Sequence, residues 1–107
     1  MTLAFAMHYR FDPRIFIDQP MHLARSSEND FRVIVAGHIA GRIFATFRSS
    51  SRNVWLWTVT GPYLPGAGLN GSGDADDLPD AKKAFRATFD AWLQWAIRQN
   101  APVTWHQ

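Results

Sequence analysis

Residues 31–60 constrain the fold more than any other stretch: FRVIVAGHIAGRIFATFRSSSRNVWLWTVT. β-Branched and aromatic residues dominate it, and such side chains suit a pleated, half-buried surface. The spacing predicts three consecutive strands, over 31–36, 39–48 and 54–60. Gly37-His38 supplies the first turn, since glycine accepts a positive φ. Ser49, Ser50, Ser51, Arg52 and Asn53 supply the second, being residues that bond their own backbone. Gly41 falls inside the second strand and marks a bulge or a close backbone approach. Alternation there sets Ile39, Ile43, Ala45 and Phe47 against Ala40, Arg42, Phe44, Thr46 and Arg48. The third strand sets Trp55, Trp57 and Val59 against Val54, Leu56, Thr58 and Thr60, and both sets are apolar enough to be core.

A sheet needs a cover, and the chain offers one helix for it. Asp77 reads as an N-cap, Pro79 fits the first turn, and Asp80 suits the positive end of the dipole. Apolar residues then recur at Ala81, Phe85, Thr88, Phe89, Trp92, Trp95 and Ala96, flanked by Leu93 and Ile97. Asn100 before Ala101-Pro102 is a stop. Between sheet and helix, GPYLPGAGLNGSGDAD (61–76) holds two Pro and five Gly. It reads as a loop in which a flat strand is not expected, with Tyr63, Leu64 and Leu69 available as anchors.

The first 30 residues have shorter apolar runs, broken by Pro13 and Pro20, which disfavour long regular elements. Leu3, Phe5 and Met7 alternate as a short strand would, and Ile15-Phe16-Ile17 suits a second extended piece. The segment reads as a partly ordered arm that lends one edge strand to the sheet, with residues 25–30 a polar connector. The tail, residues 103–107, has two courses open to it: folding back through Trp105 or staying loose.

Composition narrows the chemistry. The chain has 107 residues, 47% apolar and 19% charged, which is a single globular domain. With no cysteine there is no disulfide framework and no thiolate chemistry. The opening residues lack a basic leader, and no apolar run approaches the roughly 20 residues of a spanning helix. The expected setting is cytoplasmic, with no membrane. No nucleophile elbow, phosphate loop or dinucleotide fingerprint is present. His8, His22, His38 and His106 are scattered without metal-ligand spacing, and Asp74, Asp76, Asp77 and Asp80 lack the later ligands of a calcium loop. No catalytic residue, metal or cofactor is therefore assigned.

The segments GRIF (41–44), WLWTVTGP (55–62) and AKKAFRATFDAWLQW (81–95) resemble a pattern recurring in short, uncharacterised bacterial proteins. There a Gly-Arg-Ile strand precedes an aromatic-alternating strand ending in Gly, then a Trp-containing helix. The resemblance covers residues 31–96 and implies a fold and a bacterial source, with no activity attached.

Function then rests on surfaces. Arg32, Arg42, Arg48 and Arg52 lie on or beside the sheet, and no acidic residue falls within 31–60. Phe44 sits between Arg42 and Arg48 on one face. Guanidinium groups beside an exposed ring can serve phosphates and bases. The β-β-β-α order also looks like small DNA-binding modules that lay a three-stranded sheet in the major groove, as in integrase arm domains. Against this, the formal charge is only +2. Five Trp and eight Phe exceed what one two-layer core needs, and surplus apolar surface usually meets a partner.

These readings predict an α+β fold: an antiparallel three- to four-stranded sheet packed on one C-terminal amphipathic helix, within residues 31–107. The expected function is a small non-enzymatic module that binds protein or forms a homodimer. The alternative is a nucleic-acid-binding module of transcriptional-regulator or antitoxin type. Either would use Arg32, Arg42, Phe44, Arg48 and Arg52.

Overall fold

In chain order the elements are β1 (His8–Phe11), a 3-10 turn (Pro13–Phe16), β2 (Met21–Ser27), β3 (Asp30–Val35), β4 (His38–Phe47), β5 (Asn53–Val59), β6 (Ser72–Ala75), α1 (Leu78–Arg98) and β7 (Val103–His106). This is the computed structural model, and it describes residues 8–47, 53–61 and 71–106. Strands β2 to β6 form one antiparallel sheet in sequential order, while β1 and β7 pair separately. The fold is α+β, as the pattern predicts, with five strands instead of three or four.

The two additional strands flank the predicted three. β2 is an edge strand from the N-terminal segment, as expected, but it lies at Met21–Ser27; the stretch expected to be extended at Ile15-Phe16 belongs instead to the 3-10 turn, which Pro13 opens. β2 extends through Ser27, so most of the stretch read as a polar connector is strand, joined to β3 by a turn at Glu28-Asn29. β6 corrects the reading of 61–76 as loop throughout. Trp57 and Gly73 are cross-strand partners, and a Cβ on Gly73 would stand 2.7 Å from the Trp57 ring. The glycine that discouraged a strand by propensity is what lets the strand lie beside an indole. The alternating Leu3, Phe5 and Met7 and the proposed anchors Tyr63, Leu64 and Leu69 lie outside the described residues.

The β3–β4 turn has the predicted length but lies one residue earlier than Gly37-His38. Val35 pairs with His38, leaving Ala36 and Gly37 as the turn, with φ of 50° and 81°. Two successive positive φ values match the twist of a two-residue hairpin. A second departure follows within β4. Val33 pairs with Gly41 but Ile34 pairs with Ile39, so Ala40 is an inserted bulge residue. Plain alternation put Ile39 with the core set and Ala40 with Arg42. The bulge reverses both: Ala40 is fully buried and Ile39 is half exposed. The carbonyl of Ala40 accepts from the amides of Thr60 and Gly61, continuing the β4–β5 register one residue past Gly41–Val59.

The helix begins as the sequence indicates. Asp77 Oδ1 accepts from the Asp80 amide at 2.8 Å, and Pro79 lies in the first turn. It ends on Asn100, whose φ of 51° is left-handed. The Asn100 amide donates to Ile97 and the Ala101 amide to Ala96, closing the last carbonyls. The buried stripe is Ala81, Phe85, Phe89, Leu93 and Ala96. Leu93 therefore lies at the centre and not the flank, while Trp92 and Trp95 sit at the margin of the core.

The core forms where this stripe meets Val33, Val35, Ile43, Trp57 and Val59, with Phe16 and Val103 closing one end. Each fully buried Phe or Leu contributes about 1.5–3 kcal/mol. Gly41 fixes the layer spacing. A Cβ there would strike the Thr58 carbonyl oxygen and come within 2.6 Å of the Phe85 ring. Arg86 ties the segment before β2 to the helix, donating to the Gln19 carbonyl at 2.7 Å while pairing with Asp90.

Candidate functional site

One face of the sheet is spent on the helix. The other is covered by no described element, and its side chains fall into rows set by register. The first row is His22, Ile34 and Ile39, and the second is Ala24, Arg32, Arg42 and Thr58. The third is Asp30, Phe44, Leu56 and Asp74, followed by Thr46 with Val54.

The second and third rows hold the charges. Arg42 donates from Nε to Asp30 Oδ1 at 2.9 Å and from Nη2 to Oδ2 at 2.7 Å, a two-pronged ion pair. Its guanidinium also lies over the Phe44 ring, 3.9 Å from the centroid. The hydrogen bonds from Arg42 hold the Asp30 carboxyl below its ordinary range; the fields of Arg42 and Arg32 add to the effect and partial desolvation opposes it. The same bonds raise the Arg42 pKa.

Arg32 stands directly across the ladder from Arg42. Its side chain makes no ion pair or hydrogen bond among the described residues. Around the two guanidinium groups lies a depression of about 390 Å³ bordered by Ser26, Asp30, Arg32, Ile39, Gly41, Arg42 and Thr60. Both ladder irregularities border it: Ser26 is the residue passed over between the Arg25–Phe31 and Ser27–Asp30 pairs, and Ile39 and Gly41 flank Ala40.

Of the residues singled out from sequence, Arg32, Arg42 and Phe44 share this face. Arg48 and Arg52 lie outside the described residues. Phe44 is not a bare ring, since Arg42 covers one side of it. Asp30, Ser26 and Thr60 were missed. Had Val35–His38 pairing continued without a bulge, Asp30 would sit opposite Ile43, on the face away from Arg42. Sequence carries the acid and the arginine, and the inserted Ala40 brings them together.

Elsewhere, Arg25 lies over Phe31 at 5.0 Å and donates to the Glu28 carbonyl, stiffening the β2–β3 turn. The indole Nε1 atoms of Trp57 and Trp92 are buried without a hydrogen-bond partner. Among the described residues, no three His, Asp or Glu side chains gather as a metal site would require, and no helix is long and apolar enough to cross a membrane. The chain matches no protein-family model, no curated protein and no solved structure.

Proposed function

We propose that the chain is a small non-enzymatic module that works by association through the open face of its sheet, with a second copy of itself as the partner. The observation that supports this reading is the pattern of that face. Apolar groups at Ile34 and Ile39 and at Phe44 and Leu56 lie on either side of the arginine row, with Asp74 at the far strand. A two-fold contact places one surface against its own copy, which requires apolar patches and both signs of charge on the same face. The bacterial source and cytoplasmic setting suggested by the sequence accompany this reading.

Nucleic-acid binding is the second reading, favoured by the facing Arg32 and Arg42. It is the weaker one. Arg42 already gives two N–H groups to Asp30 and shields Phe44, which leaves less for phosphate and base.

Light scattering across a concentration series tests the proposal. Association predicts a mass above 12.1 kDa, returning to that value when Ile39→Asp places a carboxylate in the apolar row. A wild-type monomer at high concentration contradicts it. Salt-sensitive retention on heparin, lost in Arg32→Ala, would move the second reading ahead.

A further inference from the structure

We infer that the depression between Arg32 and Arg42 is a binding site for a small singly charged carboxylate bearing a short apolar tail. The inference goes beyond association, because its geometry is complete within one chain.

Arg32 and Arg42 are directly opposed cross-strand partners, and like charges in that position are destabilising. One carboxylate, Asp30, borders the depression with the two arginines, and its two oxygens are taken by Nε and Nη2 of Arg42. The trio keeps one uncompensated positive charge, on Arg32. One more carboxylate brings it to neutrality, whereas a doubly charged phosphate overshoots.

The walls supply the remaining chemistry. Ser26 and Thr60 border the depression and carry hydroxyls, each able to donate to a carboxylate oxygen. Ile39 borders it too and is half exposed. Ile34 is its cross-strand partner, so an alkyl tail has an apolar row to lie on. Shape points the same way. Bulges bend strands and re-aim side chains, and they concentrate beside functional sites. Here one bulge supplies Ser26 and the other turns Ile39 toward the arginine face.

The probes are acetate, hexanoate and inorganic phosphate, titrated into the full chain at constant ionic strength. Amide and arginine Nε–H resonances are followed by NMR, and light scattering at each protein concentration reports association separately. Saturable shifts at Arg32, Ser26 and Thr60 are expected, with hexanoate binding several-fold tighter than acetate. Arg32→Gln should weaken binding at least about tenfold, the loss expected for a charge-assisted hydrogen bond. The same substitution in the absence of ligand should leave the chain as stable or more so, which a merely structural arginine would not. Lys82→Gln, on the exposed side of the helix, should change neither.

Three outcomes overturn the site. One is the absence of shifts at Arg32 up to molar acetate. Another is phosphate binding tighter than hexanoate. The third is carboxylate binding that survives Arg32→Gln. Failure of self-association leaves these readouts untouched.

Discussion

The two faces of the five-stranded sheet are built from the same strands and differ in what they do for the fold. The face toward the helix is continuous: buried Phe31, Ile43 and Trp57 follow one another across three strands, and Ile43 and Trp57 share the core with Phe85, Phe89 and Leu93. The open face is interrupted, with apolar residues at both ends and two arginines opposed at the centre. A folding requirement alone would not select that arrangement, since opposed like charges subtract from stability. Stability therefore resides on the helix side, and the arginine side is the surface that the proposed association would use.

The largest expected effect breaks the covered side. Phe85→Ala removes a fully buried ring packed against Gly41 and should destabilise by about 3–5 kcal/mol in urea unfolding. Ile39→Ala, on the open side, should cost less than about 1 kcal/mol. Equal losses would mean the two faces are not different in kind.

Next in size is the entry to the helix. Asp77→Ala leaves the Asp80 amide without its acceptor and should cost about 1 kcal/mol in the same measurement.

Asp30→Asn sharpens the open side through its pH dependence. Asp30 has a depressed pKa in the folded chain, so its contribution is complete above the unfolded carboxylate range. That contribution fades as pH falls through the lower folded value. The variant should unfold at lower urea than wild type at pH 7. The gap should close below about pH 4 as the wild-type carboxylate takes up its proton. A gap that does not narrow at all as the pH falls from about 4 to about 2 would show that the pair does not act through its charge.

The smallest effect lies at the hairpin that sets the register of both faces. Ala36 holds a φ of 50° before Gly37. Ala36→Asn, better suited to that turn position, should raise stability by about half a kcal/mol.

Much of this was legible in the sequence, for identifiable reasons. Helical period and capping chemistry are local, so the span from Asp77 to Asn100 could be read without tertiary knowledge. Strands β3, β4 and β5 were legible because β-branched and aromatic residues mark them. β6 was not, since Ser72, Gly73, Asp74 and Ala75 carry little strand propensity and are held by Trp57 and the β5 backbone. Arg32, Arg42 and Phe44 were legible as a group by composition. Their partner Asp30 was not, because its face depends on one inserted residue, Ala40, and nothing near Asp30 announces it.

On the proposed reading, the open face is exposed in the single chain and closed by association. Proton relaxation of Ile, Leu and Val methyls by a soluble paramagnetic reagent, measured at low and high protein concentration, tests it most directly. Association through this face predicts strong relaxation of Ile39 and Ile34 at low concentration and protection at high concentration, with Val33, Ile43 and Leu93 protected at both. Ile39 shielded at every concentration, or relaxed at every concentration, would contradict it.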